Sequence, residues 1–338
     1  MQAVSKELEI RKLQTTAAGT FIVTIPKEWT QKLSLKRGDL VSVELEENDI
    51  VISPTKTKMS SESKSLNIDQ FKDQKLLELC ITASYIQGHD ITEIVSSSKI
   101  NPDQKRWIRQ AVDGLIGVEI EEDYADRLIL QNLIDPSKFH IDKLLEKFST
   151  TSGAVFQDAI NALIQNDLTL AQDAYERGEQ STKLYRLLMR QALHAARSRK
   201  MRDEMDLPDV SNVVVKIIAT REIGRMAYYA MRIAQHVSEI EKKLDEQIIA
   251  IIQKMAKITG EMQEQSLKAL LNRDLDLAST IIDKMVSVRK LYESAYTLIP
   301  KHSERSSLAL SLIIRDIRAV AGYAVALADD AVLGVFEE

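Results

Sequence analysis

Ala162-Leu163-Ile164-Gln165-Asn166-Asp167-Leu168-Thr169-Leu170-Ala171 returns 107 positions later as Ala269-Leu270-Leu271-Asn272-Arg273-Asp274-Leu275-Asp276-Leu277-Ala278. Lys183-Leu184-Tyr185 returns at the same offset as Lys290-Leu291-Tyr292. Arg221-Glu222-Ile223, with Ala227, Tyr229-Ala230 and Ile233-Ala234, returns 94 positions later as Arg315-Asp316-Ile317, with Ala321, Tyr323-Ala324 and Leu327-Ala328. One unit has been duplicated, and the later copy is 13 residues shorter between its second and third pieces. A repeat of this kind outranks local propensity as evidence of architecture.

Each copy reads as three long helices joined by short turns, which is the pattern of an antiparallel bundle. The predicted helices are roughly 141–165, 168–205 and 210–243, then 245–272, 275–302 and 304–335. Asp167 and Asp274 occupy matching turns. The boundaries follow as 138–243 for the first bundle and 244–338 for the second.

Upstream, residues 67–137 read as a small α/β unit. A helix over 69–87 stops at Gly88, and Ile91, Ile94 and Val95 suggest a strand. Asn101-Pro102-Asp103 caps a second helix, followed by a hairpin over 117–120 and 127–130. The acids Glu119, Glu121, Glu122, Asp123 and Asp126 at this hairpin read as a solvated tip. Residues 55–66 are rich in Ser and Lys and read as an exposed linker.

Residues 1–54 read as four short strands around one short helix. Phe21-Ile22-Val23-Thr24-Ile25 is rich in β-branched residues and ends at Pro26, which suits a first helical turn. Val41, Val43 and Leu45 alternate with polar residues, as in a half-buried strand. Four such strands are too few to bury both faces, so a second copy is expected to complete the core.

The net charge of −5 makes the chain no polycation, but the charge is unevenly placed. Residues 1–37 hold seven bases against three acids, a balance of +4, and residues 38–54 hold five acids and no base. A unit so divided meets a polyanion with one face. The cations Arg11, Lys12, Lys27, Lys32, Lys36 and Arg37 are the DNA-binding candidates, with Thr20 as a neutral hydrogen-bonding partner.

The order of Arg11-Lys12, Gly19-Thr20-Phe21-Ile22-Val23-Thr24-Ile25-Pro26-Lys27-Glu28, Leu33-Ser34-Leu35-Lys36-Arg37-Gly38-Asp39 and Val41-Ser42-Val43-Glu44 resembles the SpoVT/AbrB swapped-hairpin family. That resemblance implies an interlocked homodimer through residues 1–54 that binds DNA through basic residues. The duplicated half resembles PhoU, the phosphate-uptake regulator, through its turn motif and its third-helix ends Tyr229-Ala230 and Tyr323-Ala324. The whole chain looks like the archaeal type of PhoU-related regulator with an AbrB-like N-terminus. The expected fold class is therefore mainly α: two tandem three-helix bundles, a small α/β unit and a β-rich swapped-hairpin domain.

The resemblance implies regulation of phosphate uptake, by DNA-binding transcription control. Its alternative is a protein–protein regulator of a phosphate transporter or signalling kinase in which the N-terminal domain only dimerises. It also implies carboxylates at i and i+4 in each third helix, the pattern that holds a metal cluster. Those positions here are Gly224 and Tyr228, then Arg318 and Gly322, with Glu222 and Asp316 two positions out of register. No metal or other cofactor is expected.

His89, His140, His194, His236 and His302 are scattered, with no zincin or di-iron spacing. Phosphate-loop, dinucleotide and nucleophile-elbow motifs are also missing, so catalysis has no support. The single cysteine, Cys80, excludes an internal disulfide framework and fits a cytoplasmic protein, where it is expected as a buried small hydrophobe. No apolar run reaches the roughly 20 residues of a membrane span, and the N-terminus lacks the apolar core of a signal peptide. Arg197, Arg199, Lys200 and Arg202 crowd a helix C-terminus, where cations offset the helix dipole.

Overall fold

A computed structural model describes residues 9–46, 49–54, 63–299 and 303–334. The chain divides into two compact units, Met1–Ser60 and Ser61–Glu338.

In the first unit, β1 (Gln14–Thr15) pairs antiparallel with β2 (Phe21–Ile22). Gly19, at φ 83°, closes the turn between them. Helix α1 (Lys27–Lys32) follows Pro26, and β3 (Val41–Glu46) pairs antiparallel with β4 (Asp49–Pro54). The four strands match the expected order, but the first hairpin is only two residues long on each side.

In the second unit β5 (Ser63–Asn67) starts within the stretch 55–66 read as linker and ends one residue past it. Its polar sequence gives no strand signal. It lies at the sheet edge, held by a parallel ladder to β6 (Ile91–Val95), and only Leu66 turns partly inward. The sheet continues antiparallel through β8 (Arg127–Asn132) to β7 (Val118–Asp123). Helices α2 (Gln74–Ile86) and α3 (Pro102–Asp113) enclose a core of Leu77, Ile81, Ile94, Ile108 and Leu128. The predicted helix over 69–87 starts later, at Asp73, whose side chain accepts from Leu76 N. Asn101 and Gln104 form a reciprocal capping box on α3. The acids of the hairpin are partly neutralised: Asp123 pairs with Lys105 and Arg109, and Glu122 with Arg127. Cys80 is half-buried, short of the full burial expected.

The duplicated half forms α4 (Ile141–Gln165), α5 (Leu168–Arg197), α6 (Arg199–Glu204), α7 (Val210–Val237), α8 (Glu246–Asn272), α9 (Leu275–Tyr296) and α10 (Glu304–Asp329). The repeated motif is a two-residue turn. Asn166 and Arg273 adopt left-handed φ of 56° and 54° and end α4 and α8. Asp167 and Asp274 then cap α5 and α9, accepting from backbone N–H groups at 2.9–3.0 Å. The predicted helix over 168–205 breaks at Ser198, which leaves helical geometry and caps α6.

Helices α7 and α10 pack against each other, as do α4 and α8, so the two bundles share one continuous core. On α7 and α10 the small residues Ala227, Ala230, Ala321 and Ala324 are all buried. The α/β unit docks on α5 through a stripe of residues three or four apart. Fully buried Arg190 donates to the carbonyls of Tyr85 (2.6 Å), His89 (3.1 Å) and Gly88 (3.3 Å) and to the Asp90 carboxylate (2.9 Å). Arg186 reaches Gly114 O at 3.0 Å, and Arg197 reaches Gln87 O. Much of the basic cluster at the end of α5 is thus engaged structurally. Arg202 donates to Ala195 O, and Lys200 pairs with Glu204.

Candidate nucleic-acid interface and the bundle face

Among the described residues of the first unit, only Pro26 is buried. Ile10, Leu40, Leu45 and Ile50 are each more than 70% exposed, and Leu13, Phe21 and Val43 more than 60%. Apolar surface exposed to this extent is the kind that marks an interaction site.

Arg11, Lys12, Thr20, Lys27, Lys32, Lys36 and Arg37 are all exposed. Arg11 and Lys12 precede β1, and Arg11 pairs with Glu9. Lys27 and Lys32 sit at opposite ends of α1, five positions apart. That separation places them about 140° apart around the helix, so they do not share a face. Lys36 and Arg37 occupy a turn set by Gly38 at φ 92° and by Asp39, whose carboxylate accepts from Lys36 N at 2.8 Å. One of the acids of residues 38–54 therefore shapes the turn that presents two cations. Thr20 closes the first hairpin: Thr16 N donates to its carbonyl at 2.9 Å, and its own N–H reaches Thr16 Oγ1 at 3.2 Å.

The third-helix positions of the duplicated half are occupied by packing and ion pairs. At Gly224 a Cβ would lie 3.1 Å from the Tyr185 ring. Tyr228 meets Tyr229 edge-on at 5.3 Å, and Tyr229 stacks on its repeat equivalent Tyr323 at 5.7 Å. Arg318 lies over the Tyr292 ring at 5.0 Å. Asp316 is fully buried, hydrogen-bonded by Arg315 at 2.7 Å and faced across the bundles by Arg232 at 3.2 Å. Arg232 makes an ion pair there without hydrogen-bond alignment, so Asp316 Oδ2 lacks a formal donor.

Burial pushes the Glu222 carboxyl above its ordinary range, against the pull of Arg221 and Arg225. Burial, Glu222 and Asp329 push Asp330 up to about 6. No group of three or more His, Cys, Asp or Glu side chains among the described residues is arranged to hold a metal ion. A multinuclear cluster needs several converging carboxylates, and guanidinium groups occupy that role at Asp316. The residues present do not fit such a cluster. His236 is buried, with Nδ1 3.3 Å from the Glu239 carboxylate.

Residues 145–237 and 252–331, together just over half of the chain, match the PhoU domain model. The chain belongs to the PhoU family. Residues 14–60 match the model described as "Antidote-toxin recognition MazE, bacterial antitoxin", so this PhoU-family chain carries a MazE/AbrB-like N-terminal domain. The crystal structure of PhoU from Pseudomonas aeruginosa superimposes with a TM-score of 0.51 at 17% identity, covering 57% of this chain and 93% of that one. That of the phosphate transport system regulatory protein PhoU from Streptococcus pneumoniae gives 0.49 at 18% identity, covering 57% and 91%. At such identity the likeness is one of fold. No curated protein matches this PhoU-family sequence. No described helix is long and apolar enough to cross a membrane.

Proposed function

We propose that this PhoU-family chain is a non-enzymatic, DNA-binding transcriptional regulator of phosphate uptake, active as a homodimer through residues 1–54. The observation that carries the reading is the first unit itself. It buries one described residue, exposes an apolar surface, and presents six cations on loops and helix ends. A second copy covers the apolar surface and doubles the cations to twelve on one small body. Neutralising backbone phosphates then supplies affinity that falls with salt. The match to the PhoU family supplies the phosphate side of the reading. The helical half then serves as the part that receives phosphate status, through phosphate transport or signalling proteins.

The test is fluorescence anisotropy of the full chain on labelled duplex DNA across a salt series. Replacing Arg11, Lys12 and Lys27 with Ala is expected to weaken binding to all sequences alike. The salt slope should flatten by up to about 0.9 per lost phosphate contact per subunit. Unchanged affinity would reassign the first unit to dimerisation alone and leave a protein–protein regulator.

A further inference from the structure

The duplication supplies an internal comparison. In the first bundle, α5 and α7 border an open cleft of about 370 Å³, within the small-molecule range of roughly 300–1,000 Å³. Its lining holds Arg221, Arg225, Tyr185 and Tyr228 and no carboxylate. Arg221 and Arg225 are i and i+4 on α7, so they share a face, and both are exposed. Neither makes a hydrogen bond or ion pair with another described residue, and the Tyr185 hydroxyl has no described partner either. The Tyr228 hydroxyl accepts from Arg232 at 3.4 Å and keeps its own proton to donate. Two guanidiniums, which can only donate, and two phenols, which can donate or accept, thus line the cleft with no anionic group among the lining residues. Phe148 and Met231 supply apolar wall.

In the second bundle the equivalent of Gly224 is Arg318, whose guanidinium covers Tyr292, the equivalent of Tyr185. Position 224 is glycine where the other copy has Arg318, and the lining residues Gly178 and Thr182 likewise correspond to Met285 and Arg289. The larger groove between α4 and α8 mixes Glu146, Glu261 and Glu264 with Lys257 and Lys268, so its charge selects no ligand class.

We propose that the α5–α7 cleft binds the phosphoryl group of a small phosphorylated molecule, with Arg221 and Arg225 as its cationic clamp. Arginine suits this role because its planar fork meets phosphate oxygens in pairs, and charge-assisted bonds are the strong ones. The aromatic and apolar wall favours a phosphate ester over the bare anion. The assignment does not depend on DNA binding, and its assay contains no DNA.

Isothermal titration of the full chain with inorganic phosphate, adenosine monophosphate and adenosine tests it. Saturable binding of either phosphate-bearing probe, with none for adenosine, supports the clamp. Tighter binding of the monophosphate identifies an ester as the ligand class, and equal or tighter binding of inorganic phosphate identifies the free anion. Arg221→Ala and Arg225→Ala should each weaken binding by at least about tenfold. Both side chains are exposed, so the melting temperature should hold. Gly224→Arg should abolish binding by reproducing the filled copy. The proposal is overturned if neither phosphate probe saturates at millimolar concentration, if adenosine binds as well as its monophosphate, or if the arginine variants bind as the parent does.

Discussion

Replacing Arg190 should uncouple the α/β unit from the first bundle. Its guanidinium is fully buried, bonds three carbonyls and one carboxylate about 100 positions away in sequence, and lies 5.1 Å from the centre of the Tyr85 ring. Arg190→Ala leaves Asp90 without its ion partner and strands the carbonyls of Tyr85, Gly88 and His89. Breaking a buried pair of this kind costs about 3–5 kcal/mol, and each stranded acceptor that water cannot reach adds about 1–3 kcal/mol. The expected loss is therefore at least about 3 kcal/mol. Arg190→Lys keeps the charge but cannot span the same acceptors, so it should lose an intermediate amount. Trp107 on α3 packs against the α/β core and reports its unfolding once Trp29, the other tryptophan, is replaced by Phe. Urea titration should then show Trp107 changing in a separate, earlier transition than the helical signal. A single coincident transition shifted by less than about 1 kcal/mol would refute the clamp.

Burial, with Arg190 and Arg197 nearby, pushes the His194 imidazole down to about 4. The folded state then binds fewer protons than the unfolded chain between about pH 4 and 6.5, so stability falls as pH falls through that window, by up to about 3 kcal/mol. His194→Gln should flatten this loss in pH-dependent urea titrations, and an unchanged pH profile would sink the assignment. Asp330 acts in the opposite sense, because its raised value costs stability as pH rises through about 4–6. Asp330→Asn should therefore stabilise at mildly alkaline pH by about 1 kcal/mol after solvent screening, and a destabilisation in thermal melts would contradict the placement. Arg273 holds a left-handed conformation that costs a non-glycine residue roughly 1 kcal/mol, so Arg273→Gly should raise the unfolding free energy by up to that amount. Elemental analysis of protein purified without chelator should show less than about one transition metal per chain, because among the described residues no group of three or more ligating side chains is arranged to replace the hydration shell. Stoichiometric iron or zinc lost in Glu222→Ala would show ligation from a shifted register.

The sequence by itself determined the duplication, the helix–turn–helix joints at Asp167 and Asp274, and the split charge of residues 1–54. Those features are local or periodic: a capping carboxylate, a left-handed residue before it, and a stripe at helical spacing act within a few residues of themselves. The third-helix ends Tyr229-Ala230 and Tyr323-Ala324 also put Gly224, Tyr228, Arg318 and Gly322 in the register where the resemblance to PhoU implies carboxylates. Other features depended on partners far along the chain. Strand β5 has no apolar pattern and exists through its backbone ladder with β6. The role of Arg190 is invisible in a helix read alone, since its acceptors are backbone carbonyls and carry no residue signature. The cleft at Arg221 and Arg225 needed Gly224 and Tyr185 brought together from two helices, and only the packing of α5 on α7 does that.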